Sequence, residues 1–335
     1  MTTATYRATM LTGKGEPDML VTQDLPLEPP GPGQLRVRVL ATGVGSTDVT
    51  MRRGRYLFAP KLPFVPGYES VGTVDAIGDG VSGFAVGDRV CALLVHGGYA
   101  EYVTRDASDW IKVPDGLDTV EVTALILNYV TAYQAIHRTA RLAPGSTALV
   151  TGAAGGCGQA FVQLLRAHGV RVIAAASPRS HDLLRALGAE PIDGRGGRIA
   201  EAVHELVPGG VDAAFDGIGG DTLRQCIAAT RKRGTIVWYG FMGATGLGAV
   251  LRNVYDLFVG ARLRGRRAKF YGITALYRRD KRPFHDDLPQ LFELLAKRRI
   301  QPRIALQLPL DQARDANIRI EAGGVDGKIV LVAAA

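Results

Sequence analysis

The chain has 335 residues, of which 47% are hydrophobic and 21% charged, a balance that excludes intrinsic disorder and a length that exceeds one typical core, so two domains are expected. Its net charge of +8 arises from 40 basic residues spread along the chain beside 32 acidic ones, a diffuse excess apart from one cluster in the C-terminal third. Cys91, Cys157 and Cys226 are far apart and form no Cys-x-x-Cys pair, which argues against a disulfide framework or a structural zinc site and fits a reducing cytoplasm.

Met1 to Met10 contains no apolar leader-like run, and nowhere do roughly 18 apolar residues follow one another, so neither secretion nor a membrane span is expected. From Tyr6 to about Val122 short β-like runs alternate with Gly and Pro: Leu35 to Leu40, Ser70 to Ile77, Asp88 to Leu94 and Tyr99 to Val103. Turn signals such as Pro29-Pro30-Gly31-Pro32-Gly33 and Asp79-Gly80 separate them, and a β-rich, barrel-like domain is predicted.

From Thr123 the texture becomes alternating strand and helix, which predicts a parallel sheet covered on both faces and an α/β fold class. The organising stretch is Ser146 to Gly169. An apolar run, Ser146 to Thr151, is broken by Gly152-Ala153-Ala154-Gly155-Gly156-Cys157-Gly158; a helix Gln159 to His168 follows, with Phe161, Leu164 and Leu165 on one face and Gly169 as its stop. Glycines admit a pyrophosphate close to the backbone, and the helix N-terminus offers N–H groups and a positive dipole end to it.

Strands are then expected at Val170 to Ala176, Val211 to Phe215 and Thr235 to Tyr239, with helices at Ser180 to Leu187, Ile199 to Val207 and Asp221 to Thr230. Ligands of such sheets sit at the strand C-termini, here Thr151-Gly152, Ser177, Asp216-Gly217 and Gly240-Phe241. A helix Asp286 to Arg298 leads to Ile304 to Leu308 and Lys328 to Val332, read as strands returning to the first domain. The boundaries predicted are 1–122 with 300–335 for the β-rich domain and 123–299 for the sheet domain.

The residues resemble the medium-chain dehydrogenase/reductase superfamily, and within it the zinc-independent, zeta-crystallin-like quinone oxidoreductases. The blocks are Asp48 with Arg52-Arg53-Gly54-Arg55-Tyr56, Pro66-Gly67-Tyr68-Glu69, Val86-Gly87-Asp88-Arg89-Val90, Gly97-Gly98-Tyr99, Thr131-Ala132-Tyr133, the glycine turn and Gly327-Lys328-Ile329-Val330. The resemblance implies a GroES-like β-barrel domain and a Rossmann domain, with cofactor in the cleft between them.

Zinc-binding members carry Cys and His where this chain has Gly45 and Tyr68, and neither of these is a zinc ligand, so no metal is expected. Cys91 and His96 lack a third ligand nearby and read as ordinary interior or surface residues. A carbonyl must then be polarised by hydrogen-bond donors.

An acid at the second strand's end would bind the ribose 2′-OH of NAD, whereas small polar or basic residues accommodate the 2′-phosphate of NADP. This chain reads Ala176-Ser177-Pro178-Arg179-Ser180-His181, so NADPH is expected, held by Ser177 and Arg179. The lesser alternative for Arg179 is a solvated residue near a helix start. Further cofactor contacts implied by the resemblance are Thr131, Ala154, Gly155, Gly156, Cys157, Arg195, Tyr239, Gly240, Phe241 and Arg266.

The basic cluster Arg262 to Arg282 holds nine Lys or Arg. No nucleic-acid-reading element accompanies it, so nucleic acid is not an expected partner, and it reads as a solvated rim drawing in an anionic cofactor.

The activity implied is hydride transfer from NADPH to a quinone or an α,β-unsaturated carbonyl, with the protein stabilising the developing enolate or quinol oxygen. Tyr56, at the family's active-site tyrosine position, is the candidate donor, or else a packing residue. Asp48 either orients polar groups or caps a helix Val49 to Arg53. Gly45 and Thr50 stand where relatives carry Asn and Tyr, which implies a roomier pocket, bordered by Tyr68. Two alternatives are a dedicated biosynthetic enone reductase or dehydrogenase and a non-catalytic NADPH-binding, crystallin-like or RNA-binding protein. The resemblance also implies a homodimer formed by edge-strand pairing, with Thr235 to Tyr239 near the edge.

Overall fold

The computed structural model describes residues 4–241 and 247–334, the side chain of Leu247 excepted. The chain divides into two compact units: Met1–Leu127, Asp280–Lys297 and Pro302–Ala335 form one, Asn128–Arg279 and Arg298–Gln301 the other.

In chain order the first unit begins with β1 (Thr5–Leu11), β2 (Leu20–Pro26), β3 (Gln34–Val44), β4 (Glu69–Ile77), β5 (Arg89–Leu93), β6 (Tyr102–Asp106) and β7 (Ile111–Lys112). The second contributes β8 (Thr147–Thr151), β9 (Arg171–Ala176), β10 (Glu190–Asp193), β11 (Val211–Asp216), β12 (Thr230–Trp238) and β13 (Arg267–Phe270). The chain returns to the first unit as β14 (Ile304–Pro309) and β15 (Lys328–Val332).

β1 and β2 pair with each other, while β14-β15-β3-β4-β5-β7 form the larger sheet of the first unit and β6 joins it on β3. Along β3, Leu35, Val37 and Val39 alternate inward and pack with Val74, Val90 and Trp110, the period-two burial that makes a strand of this segment. Antiparallel pairing of Ile329 with Val44 carries the C-terminus back into this sheet. The strand expected at Tyr99 to Val103 starts instead at Tyr102; Tyr99 is taken up by a crossing to β1, where its carbonyl accepts from Thr9 N–H at 2.8 Å.

The second unit is a parallel sheet in the order β10-β9-β8-β11-β12-β13, so the order reverses between β8 and β11. Leu149, Ile173, Val211 and Ala214 fill its core, and Phe161 of the helix Gly156–Ala167 stacks on Phe215 with ring centroids 4.8 Å apart. The edge strands β10 and β13 carry no signal in the sequence. Both are short, and β13 reads Arg267-Ala268-Lys269-Phe270, charged as edges commonly are, which removes the apolar periodicity that betrays inner strands. β13 also lies outside β12, so Thr235 to Tyr239 belongs to the second strand in and not to the edge itself.

The helix expected at Asp286 to Arg298 runs Arg282–Ala296 and groups with the first unit, a correction to the expected boundary. Lys281, just before it, forms an ion pair with Asp109, which anchors this helix to the β-rich unit. The helices Leu247–Tyr255, Ile273–Arg279 and Ala313–Ala322 are further elements beyond those expected. Among the described residues no helix is long and apolar enough to cross a membrane.

Candidate active site

In the second unit the glycine turn follows β8 at the reversal of strand order, the place where open parallel sheets bind ligands. Gly152 has φ +58°, and Gly155 N–H donates to its carbonyl at 3.1 Å, which closes the turn. A Cβ at Gly158 would lie 2.2 Å from Gly152 O, so only glycine lets the helix Gly156–Ala167 press against the turn. A Cβ at Gly155 would meet nothing nearer than Gly152 O at 3.5 Å, and Gly155, Gly156 and Cys157 are partly open. A dinucleotide pyrophosphate fits these residues: the close approaches lie behind the turn, the open side faces outward, and the first helical N–H groups lack intrahelical partners.

At the end of β9, Ser177 starts a short turn, Pro178–Ser180, with Arg179 exposed. Asp182, the nearest acid that follows, pairs with Arg185 at 2.6 Å. Parallel pairing of β10 with β9 brings in an acid that sequence reading missed, Asp193, opposite Ala176. Arg195 grips it with Nε at 3.0 Å and Nη2 at 3.2 Å, and this pairing lowers the Asp193 pKa and raises that of Arg195.

Tyr239 lies over Gly217, where a Cβ would come within 2.8 Å of its ring, and stacks on Phe161 at 4.7 Å. Burial holds its phenol well above the ordinary range, with Cys157 adjoining. A Cβ at Gly240 would meet Gly217 O at 2.5 Å, so β11 and β12 end in close contact. Phe241 rests on Trp238, centroids 4.4 Å apart. Thr131 is buried in the helix Val130–Gln134, and that helix adjoins the turn through Asn128 O, 3.7 Å from Cys157 Sγ.

Arg266 is a correction to the expected cofactor set. It precedes β13, at the opposite end of the sheet from the glycine turn, and its guanidinium donates to the carbonyls of Ala228, in the helix Asp221–Ala229, and Thr230, the first residue of β12. Its charge closes backbone acceptors and does not reach the ligand end.

In the first unit Gly45 is the N-cap of the helix Ser46–Arg52. Asp48 accepts from Gly45 N–H at 2.9 Å and Gly67 N–H at 3.2 Å, so it both caps this helix and ties it to the loop leading into Tyr68. Its burial, reinforced by nearby Glu69, raises the pKa to about 6. Thr50 turns its hydroxyl back to Ser46 O at 2.8 Å. Arg52, buried, pairs with Glu321 and donates to Gly15 O, fixing the end of the helix from which Tyr56 follows.

Tyr56 and Tyr68 meet through their hydroxyls at 2.9 Å. Tyr56 is partly exposed; Tyr68 is buried, and its burial, with Tyr56 beside it, holds its phenol protonated well above neutral pH. Glu69 forms a buried ion pair with Lys328 Nζ at 2.5 Å, missed by sequence reading although both residues stand in conspicuous blocks. A Cβ at Gly43 would lie 1.9 Å from Glu69 Oε1, so this strand must be bare where the pair crosses it. Cys91 is buried, and the His96 ring lies edge-on to Phe64 at 6.2 Å. Among the described residues no cluster of His, Cys, Asp or Glu could hold a metal ion.

Residues 31–115 match the family model described as the alcohol dehydrogenase GroES-like domain, and residues 156–295 the one described as zinc-binding dehydrogenase. The human synaptic vesicle membrane protein VAT-1 homolog is 37% identical over 238 residues, 70% of this chain but only 61% of that protein. A 2-haloacrylate reductase from a Burkholderia species is 33% identical over 335 residues, covering 97% of this chain and 98% of the relative. Among solved structures, a mycobacterial protein complexed with NADPH superimposes with a TM-score of 0.87 at 30% identity, over 97% of this chain and 99% of that one.

A GroES-like unit joined to a parallel sheet with a glycine cradle at its switch point defines an oxidoreductase of the nicotinamide-cofactor type. The chain belongs to the medium-chain dehydrogenase/reductase superfamily, in its quinone oxidoreductase-like family, as the sequence blocks imply.

Proposed function

We propose that this chain is an NADPH-dependent, zinc-independent reductase of electron-poor double bonds conjugated to a carbonyl, quinones and enones included. The observation that carries the reading is the Tyr56–Tyr68 hydroxyl pair, 2.9 Å apart, a neutral donor set where zinc-dependent relatives place a metal ligand. Bound NADPH supplies hydride from its nicotinamide C4 to the electrophilic carbon.

The protein's own work begins at the glycine cradle, where Ala154, Gly155, Gly156 and Cys157 receive the pyrophosphate. Ser177 and Arg179 bind the 2′-phosphate, and Arg195 neutralises Asp193, an acid that would otherwise repel it. Thr131, Tyr239, Gly240 and Phe241 complete the dinucleotide contacts. Tyr56 donates a hydrogen bond to the substrate oxygen that gains charge, while Tyr68 donates to Tyr56, spreading that charge over two phenols. Tyr56, partly exposed, passes the proton that completes the two-electron reduction to the substrate oxygen and regains one from solvent. Gly45 and Thr50 leave room beside it, and Asp48 positions the helix they share.

The 2-haloacrylate reductase relative, named for a substrate with a conjugated double bond, supports the reaction class. The wide spacing of Cys91, Cys157 and Cys226, which suits no disulfide framework, supports a reducing, cytoplasmic setting. A homodimer is supported by the exposed β13 edge and by the adjoining outward apolar residues Leu251, Tyr255, Phe258 and Leu263, which a second copy would cover by continuing the sheet. The test is titration with NADPH and NADH by nicotinamide fluorescence, followed by quinones and enones while reduced cofactor is monitored. Oxidation dependent on Tyr56 establishes the reading; tight binding without turnover across the panel removes it.

A further inference from the structure

Asp216 is buried at the C-terminal end of β11, and among the described residues the groups that hydrogen-bond to its carboxylate are neutral donors. Thr151 Oγ1 donates to Oδ1 at 2.6 Å, Ile218 N–H to the same oxygen at 3.2 Å, and Gly219 N–H to Oδ2 at 2.8 Å. A buried carboxylate without a cation is costly, and apolar residues of similar shape serve packing at least as well. Three bonds converging on one carboxylate therefore call for a role beyond stability.

The two strands it joins are β8 and β11, the neighbours at which the strand order reverses. Thr151 immediately precedes Gly152, the left-handed residue that opens the cradle. On the other side lies Gly217-Ile218-Gly219-Gly220, in which Gly219 and Gly220 also have positive φ and no side chain to stiffen the backbone. Ile218 lies against Gly152: a Cβ there would be 3.7 Å from Ile218 Cδ1. Asn253 holds the far end of the loop, accepting from Gly220 N–H at 2.9 Å. One carboxylate thus fixes a glycine-rich loop against the opening residue of another.

We infer that Asp216, latched to Thr151, is a positioning residue that sets the glycine cradle for its dinucleotide without touching it. The inference rests on the nicotinamide-cofactor reading of the cradle. Thr151→Val keeps the β-branched shape and removes only the hydroxyl; Asp216→Asn keeps one acceptor and turns an amide toward Ile218 N–H.

The expected result is an NADPH dissociation constant raised about tenfold in each variant, the scale of one buried hydrogen bond, measured at a temperature at which both variants remain folded. The double variant is no weaker than the single ones, because they share a bond. In cofactor-free protein, amide exchange across 152–158 and 217–220 accelerates together in both variants. Wild-type affinity in both variants, or unchanged exchange at 152–158, overturns the inference. Wild-type protein that binds neither NADPH nor NADH overturns the cofactor reading itself, a result distinct from variants that bind as well as a binding wild type.

Discussion

The buried side chains of Glu69 and Lys328 meet at 2.5 Å across the bare backbone of Gly43, joining the start of β4, next to Tyr68 in the chain, to the C-terminal strand β15. The pair ties the strand that follows Tyr68 to the last strand of the same unit. Replacing Lys328 with Met leaves Glu69 buried without its cation and is expected to destabilise the protein by about 3–5 kcal/mol. The double change Glu69→Gln with Lys328→Met recovers most of the loss, and urea denaturation of wild type and the two variants measures it.

Tyr56→Phe removes the outer hydroxyl while its ring keeps its edge contact with Phe58. Turnover is expected to fall by about 10²–10³, the cost of one donor to a developing oxyanion, with NADPH affinity unchanged. Tyr68→Phe acts through Tyr56 and costs about tenfold. Steady-state kinetics with a quinone and an enone check both, and equal loss in NADPH binding would refute the assignment.

Asp48 gives stability a pH dependence of definite sign. Its folded-state pKa of about 6 lies above the ordinary 3.8, so the folded protein holds this proton more tightly. Its contribution is fully present below about pH 4 and is lost as pH rises through 6, a change of about 3 kcal/mol. Carboxylates with lowered values, such as Glu190 and Asp193, act in the opposite direction. The difference between wild type and Asp48→Asn isolates the effect: unfolding free energies measured from pH 4 to 7 should converge at the acid end and separate in favour of Asn near neutrality.

Cofactor preference should turn on the end of β9. Arg179→Ala is expected to weaken NADPH binding by about 10- to 100-fold, the value of charge-assisted bonds to phosphate, and to leave NADH unchanged. Ser177→Asp adds the acid that ribose hydroxyls prefer and shifts preference toward NADH. Paired fluorescence titrations decide, and equal loss for both dinucleotides would mean that Arg179 does not recognise the 2′-phosphate.

Self-association is expected to depend on the outward apolar face next to the last strand of the parallel sheet. Leu263 is 78% exposed and Phe258 46%, beside the open β13 edge. Leu263→Asp with Phe258→Asp should convert a dimer to a monomer in sedimentation or light scattering, with little cost to the monomer's fold because both side chains already face outward. A wild-type protein that is monomeric at high concentration would end the proposal.

Local chemistry makes much of this protein legible in its sequence. The run Ser146 to Gly169 carries strand, turn and helix because glycine tolerance, helix stopping and apolar spacing are short-range properties, and inner strands such as β8, β9 and β11 show because both their faces are buried. Tyr56 and Tyr68 stand out from their sequence blocks alone. The edge strands β10 and β13 are illegible because charged, half-paired segments need no apolar pattern. Arg266 falls outside the cofactor set because adjacency to a strand does not say which end of the sheet a residue occupies, and parallel register puts this one at the far end.

The sequence by itself determined the fold class and the strand, glycine turn and helix of the parallel-sheet unit, all properties of residue type at fixed spacing. Only the tertiary structure decided that Asp193 stands beside the end of β9, that Lys328 neutralises Glu69 and that Asp216 latches onto Thr151. These pairings join residues 17, 259 and 65 positions apart, counting Asp193 from Ala176, Lys328 from Glu69 and Asp216 from Thr151. Strand register brings them together, and register is set by the packing of whole sheets and not by any local stretch of chain.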